Sequence, residues 1–256
     1  MNIFKILLTI IIFSNGLWAI SPKDKSILKE NEVYMFLSSH VYELENKKST
    51  QIIGLNPYLG IWNDAKDWKI IEYRDNSING FTAAIYKNDI NRKIIVAFAG
   101  TGGGENDFQD VMQDIYIVYQ QNSDGQFYDA KQTVDYYTAF AKSLDYDVEF
   151  TGHSLGGALA QFAGLETGYK TITFNTAPYS LSNEVYKLLS DGGKKNINIK
   201  NIRAINDYVS GIAFTVEAIP KFNILSIKTI NGENIHLNSV KSGHTLAQMI
   251  REYDSK

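Results

Sequence analysis

Between Glu149 and Ala160 the chain reads EFTGHSLGGALA. Gly-His-Ser-Leu-Gly stands there between a run of strand character (Val148, Phe150) and a run of helix character (Leu155 to Thr167). Few local patterns constrain a fold more. A serine at a sharp strand-to-helix turn has a strained backbone, and the turn closes only where its neighbours are small. Gly152 and Gly156 supply that space, while Gly157, Ala158 and Ala160 let the helix lie close to the sheet. Such a turn lifts the Ser154 hydroxyl into the open at the C-terminal edge of a parallel sheet. It also aims the N–H groups of the helix start at any negative oxygen formed there. The five-residue pattern alone arises by chance in about one chain of this length in ten, so its flanks carry the argument. The competing reading is a glycine-rich turn in which the serine only caps the helix.

The remaining periodicities supply the sheet that such a turn requires. Strands are expected at Ile70 to Tyr73, Phe81 to Tyr86, Asp147 to Thr151, Thr171 to Asn175 and Ile199 to Ile205. Lys93 to Ala99 (KIIVAFA) is nearly all apolar, as a central strand buried on both faces must be. Helices are expected at Ser26 to Glu45, Phe127 to Leu144, Leu155 to Thr167, Ser182 to Leu189 and Thr245 to Tyr253. Near the C-terminus, Ile224 to Ile230 and Asn234 to Leu237 read as a hairpin around Asn231-Gly232. Strands alternating with helices imply an α/β fold: a mostly parallel central sheet with helices on both faces. The 256 residues are enough for one such domain with a sizeable core.

A net charge of −3 gives no general electrostatic reason to bind nucleic acid. Lys194, Lys195 and Lys200 read as a solvated loop. The first 19 residues differ from the rest: MNIFK, the apolar ILLTIIIF, then SNGLWA with Leu17 and Ala19 at the −3 and −1 positions. That is the layout of a secretory signal peptide, and the apolar run is too short to span a bilayer. The expectation is residues 1–19 as signal and 20–256 as one domain, exported to the periplasm or the medium. The sequence contains no cysteine. Disulfides and lipid attachment through a cysteine are therefore excluded, and the exported domain must rest on its core.

A nucleophilic serine needs a base, and the base needs an orienting acid, here in the order Ser, Asp/Glu, His. The four histidines are His40, His153, His236 and His244. His40 precedes the sheet, His153 adjoins the serine with its ring expected to point away from Ser154, and His236 falls on a strand. His244, in the loop Ser242-Gly243-His244, is the favoured base, with His236 its rival. For the acid, Asp207 directly follows a strand and is preferred to Asp191, which with Gly192-Gly193 reads as a helix-ending turn. The oxyanion hole should pair the N–H of Leu155 with one from the loop after KIIVAFA, where Thr101 is the candidate. That Gly-rich loop lacks the lysine of a phosphate-binding loop and leads into an acidic segment.

Taken together, these residues resemble the class 3 (fungal-type triacylglycerol) lipase family of the α/β-hydrolase superfamily. The resemblance is carried by Ala97-Phe98-Ala99-Gly100-Thr101, Asp107-Phe108-x-Asp110, Thr151-Gly152-His153-Ser154-Leu155-Gly156-Gly157-Ala158-Leu159-Ala160, Phe174-Asn175-Thr176-Ala177-Pro178, Asn206-Asp207 and Gly243-His244. Asn175 stands where that family often has glycine, and Tyr208 where it favours proline. The resemblance implies an α/β-hydrolase fold, Ser154, Asp207 and His244 as triad, and Thr101 and Leu155 as oxyanion donors. It implies hydrolysis of lipid carboxylic esters, as a triacylglycerol lipase or a phospholipase A1, without a metal or organic cofactor. A lid over the site is implied at residues 108–119, against the alternative of an amphipathic helix packed on the sheet. Its partners are then a lipid or ester substrate and a transient contact with a membrane or lipid surface. No nucleic-acid partner is implied, and the oligomeric state is left open. The alternative function is a catalytically silent lipase-like fold that binds lipid or a partner.

Overall fold

The computed structural model describes residues 20–44, 67–100, 123–177, 198–207, 232–240 and 243–254. The expected signal segment, the segment 108–119, Thr101, the helix at 182–189, Asp191 and the first half of the expected hairpin lie outside them. Two short helices, α1 (Pro22–Glu30) and α2 (Glu32–Glu43), lead into the strands β1 (Trp68–Asn76), β2 (Phe81–Asn88) and β3 (Lys93–Phe98). A long helix α3 (Ser123–Leu144) precedes β4 (Asp147–His153), and α4 (Leu155–Thr167) leads to β5 (Thr171–Phe174). The chain ends with β6 (Ile199–Ala204), β7 (Glu233–Leu237) and helix α5 (Leu246–Asp254). The seven strands form one sheet in sequence order. β1, β2 and β3 pair antiparallel, and β3 through β7 run parallel.

Alternation along the strands splits the core into two layers. Ala84, Tyr86, Ile95, Ala97, Ile172, Phe174 and Ile202 pack against the face formed by α1, α2 and α5. Phe81, Ala83, Ile85, Ile94, Val96, Phe98 and Phe150 pack against α3 and α4 on the other face. Because both faces are covered, β3 must be apolar on every side, which is why KIIVAFA lacks the polar alternation of a half-exposed strand. Each fully buried Val, Ile or Phe side chain among them contributes about 1.5–3 kcal/mol.

The expected single helix from Ser26 to Glu45 is two. The turn breaks at Asn31, whose side chain bonds back to the Ile27 carbonyl at 2.8 Å and whose backbone leaves the helical region (φ −117°, ψ 14°). Asparagine competes for backbone groups in this way because its amide is short enough to reach them. α1 begins at Pro22, and the Ser21 hydroxyl caps the Asp24 N–H at 3.1 Å. The buried Asp24 carboxylate then accepts from the Ser239 N–H (2.7 Å) and hydroxyl (2.6 Å). This ties the first helix to the chain just beyond β7. β7 itself pairs parallel with β6, Asn201 opposite Asn234.

Candidate active site

Parallel strands bring their C-terminal ends to one edge, and Ser154, Asp207 and His244 are found there. Ser154 follows β4 directly, with φ 57° and ψ −127°, a region costly for any residue with a Cβ, on the order of 1–3 kcal/mol. The strand and the helix hold it: its N–H donates to the Phe174 carbonyl (3.3 Å), and its carbonyl accepts from Ala158 (3.2 Å) and Ala177 (3.0 Å). The flanking glycines are obligatory. A Cβ on Gly152 would lie 2.2 Å from the Gly156 carbonyl oxygen, and one on Gly156 would lie 2.2 Å from the Phe98 carbonyl oxygen.

The structure brings together three of the residues singled out from the sequence. His244 Nε2 lies 2.8 Å from the Ser154 hydroxyl oxygen. Its Nδ1 lies 2.9 Å from Asp207 Oδ1. A carboxylate can only accept, so Nδ1 carries the proton and Nε2 presents a lone pair to the serine hydroxyl. Asp207 sits three residues past β6, where its N–H is bonded to the Ala204 carbonyl at 3.1 Å. The Gly243 N–H before His244 donates to Asn206 Oδ1 at 3.1 Å. His236, by contrast, is exposed on β7 and accepts from Arg203 at 3.2 Å.

The hydroxyl is less open than the sequence led us to expect. Ser154, His244 and Asp207 are 6%, 6% and 4% exposed. The turn therefore projects the serine into a covered site. The Leu155 N–H starts helix α4, pressed against Gly100, whose missing Cβ would stand 3.2 Å from that nitrogen. Thr101 lies outside the described residues. Among the described residues, no group of three or more His, Asp or Glu is arranged to hold a metal ion.

Two residues gained roles that the sequence did not reveal. His153 turns its ring to His244, centroids 4.8 Å apart, and its Nε2 lies 2.6 Å from the His244 carbonyl oxygen. Burial, and secondarily the neighbouring His244, pushes its pKa down to about 3. Asn175, at φ 42°, donates from Nδ2 to the Gly243 and His244 carbonyls at 3.1 Å each. Its Oδ1 accepts from the Ala204 N–H at 2.9 Å. Asparagine is among the few residues with a side chain that tolerate this backbone. The one visible signal was that Asn175 departs from the glycine usual at this point.

A cavity of about 550 Å³ opens at the other edge of the sheet, bounded by Lys29, Glu32, Tyr34, Lys93, Glu149 and Lys170. It holds none of the residues just described.

Residues 35–211 match the phospholipase-like family of Tle-like phospholipase domains. The chain belongs to that family. Like other proteins of α/β-hydrolase fold, this Tle-like phospholipase family member is similar in structure to fungal lipases. The lipase of Rhizopus microsporus var. chinensis is 21% identical with a TM-score of 0.50, over 76% of this chain and 71% of that one. The Lip2 lipase of Yarrowia lipolytica is 18% identical with a TM-score of 0.51, over 77% and 76%. By sequence the chain is similar to the extracellular phospholipase A1 of Serratia liquefaciens, 37% identical over 108 residues. That stretch is 40% of this chain and 29% of the relative, so the chain matches under a third of that protein's length.

Proposed function

We propose that this protein hydrolyses carboxylic esters of lipids, phospholipids in particular, through a serine nucleophile. The observation that carries the reading is the unbroken hydrogen-bonded line Asp207–His244–Ser154, at 2.9 and 2.8 Å, ending on a serine held at φ 57°. His244 Nε2 takes the hydroxyl proton as Ser154 attacks the ester carbonyl, and Asp207 stabilises the imidazolium that forms. The tetrahedral oxyanion is held by the Leu155 N–H at the positive end of α4 and by Thr101. His244 then returns the proton to the departing lysolipid or glycerol oxygen. Water, activated by the same imidazole, releases the fatty acid from the acyl-enzyme.

Family membership supports a phospholipid substrate, and the Serratia relative's name supports cleavage at the position of a phospholipase A1. That relative is extracellular by name, which together with the layout of residues 1–19 supports export. Residues 20–256 then form the mature domain. The test is to incubate the purified protein with vesicles of mixed phospholipid and triacylglycerol and to identify the released acids. Release that disappears in Ser154→Ala and in His244→Ala is expected, with lysophospholipid as co-product. No release from vesicles or from a soluble short-chain ester would instead leave a silent lipid- or partner-binding protein.

A further inference from the structure

We propose that His153 and Tyr42 are positioning residues of the reaction, a bridge that holds the backbone of the base and the peptide opening the oxyanion loop against the end of the nucleophile strand. The proposal rests on the triad reading above, in which neither residue takes part.

The proton positions follow from what each atom can do. The His244 carbonyl accepts only, so His153 Nε2, at 2.6 Å, must carry the hydrogen. His153 Nδ1 is then an acceptor, and it faces the Tyr42 hydroxyl at 3.3 Å. The Tyr42 oxygen itself accepts from the Gly100 N–H at 2.8 Å. Its proton faces His153, between Nδ1 and the His153 carbonyl at 3.2 Å. The direction of donation therefore runs from Gly100 to Tyr42 to His153 to the carbonyl of His244. A charged His153 would put a donor on Nδ1 and reverse the step from Tyr42, and burial of the ring opposes that charge.

Both ends of this line meet parts of the reaction. At one end, the His244 carbonyl also accepts from Asn175 Nδ2 at 3.1 Å, so two donors fix the backbone from which the imidazole pivots. At the other end is Gly100, the residue before Thr101, packed beside the Leu155 nitrogen. Tyr42 reaches this point from the last turn of α2, which is itself locked to β4 by the Ser38–Thr151 hydroxyl pair at 2.8 Å. A base displaced by about 1 Å loses roughly 100-fold in rate. A backbone clamp on the base therefore acts on turnover more than on binding.

The test uses the full-length protein with His153→Leu, His153→Gln and Tyr42→Phe. Gln places an N–H near the position of Nε2, and Leu fills similar space with no donor. Four quantities are read: kcat and KM on a soluble short-chain ester, the rate at which a fluorophosphonate labels Ser154, the downfield proton resonance of His244 Nδ1, and the melting temperature. His153→Leu is expected to lower kcat and labelling by about 10–100-fold with KM changed less than about threefold. It should broaden or lose the resonance, and His153→Gln should recover much of each. Tyr42→Phe should act in the same direction and less strongly. A folded His153→Leu protein with wild-type kcat and labelling, or a His153→Gln protein no better than it, overturns the proposal. If the wild-type protein cleaves no ester, the reading of function fails. The resonance then still decides the clamp: kept in His153→Leu it overturns the proposal, and lost there but kept in His153→Gln it supports it.

Discussion

Asn175 shows how much one side chain does at this edge. It holds a left-handed backbone at φ 42° and links the ends of β5 and β6 to the carbonyls of Gly243 and His244. Asn175→Gly relieves the backbone and removes the links, whereas Asn175→Ala removes the links and keeps the strain. Both variants should lose kcat by a similar factor, about tenfold. Asn175→Ala should also be the less stable, by about 1 kcal/mol in urea denaturation. Equal stabilities would mean that the backbone at this position is not strained. In the proposed triad Asp207 acts differently, by fixing the tautomer of His244. Asp207→Asn can turn its amide N–H towards Nδ1 and move the imidazole proton to Nε2, where it blocks the serine. Turnover of a soluble ester should fall about 10³–10⁴-fold, with binding little changed. A loss under tenfold would show that Asp207 does not set the tautomer.

At the scale of elements, the junction of β4 and α4 was legible because its chemistry is local. Strand, serine, glycines and helix are consecutive, and the steric demand falls on the same few residues. The prediction that belongs here is Gly156→Ala. Its Cβ would meet the Phe98 carbonyl oxygen at 2.2 Å and the Ala99 carbonyl carbon at 2.7 Å. Both are backbone atoms of β3 and its exit, so neither can rotate away. The variant should lose about 3 kcal/mol, the upper end for overpacking, visible as a lower urea midpoint or as insoluble protein. A midpoint within error of the wild type would mean that α4 can slide off the sheet. β3 was legible for a related reason, since continuous apolarity is what burial on both faces requires. The break at Asn31 was missed because the apolar spacing runs through it, and only a side-chain bond to Ile27 ends the first helix. The parallel pairing of β7 was missed because register is a tertiary choice. In the candidate site, Ser154, Asp207 and His244 could be named from motif and chain order. His153, Tyr42 and Asn175 could not, because their partners are distant in sequence.

For the whole molecule, one buried imidazole, that of His153, ties stability to acidity. His153 is enclosed by His244, Tyr42 and, more remotely, Asp207. Burial first, and the neighbouring His244 second, bring its pKa from the ordinary 6.5 down to about 3. Between those values the unfolded chain binds a proton that the folded chain refuses. The unfolded state therefore carries more protons, and stability rises with pH through this window. The contribution is complete above about pH 6.5 and is lost as the pH falls towards 3, at about 1.4 kcal/mol per unit in the middle of the window. Carboxylates that are paired when folded also lose stability in acid, so the wild-type slope alone proves nothing. The informative quantity is the difference between wild type and His153→Gln, whose amide does not titrate. Unfolding free energies from urea titrations between pH 4 and 5.5 should depend on pH less steeply in the variant, by about one proton. Parallel slopes would mean that the folded protein accepts a charge on His153, and the donor line from Gly100 to His244 could not then hold as drawn.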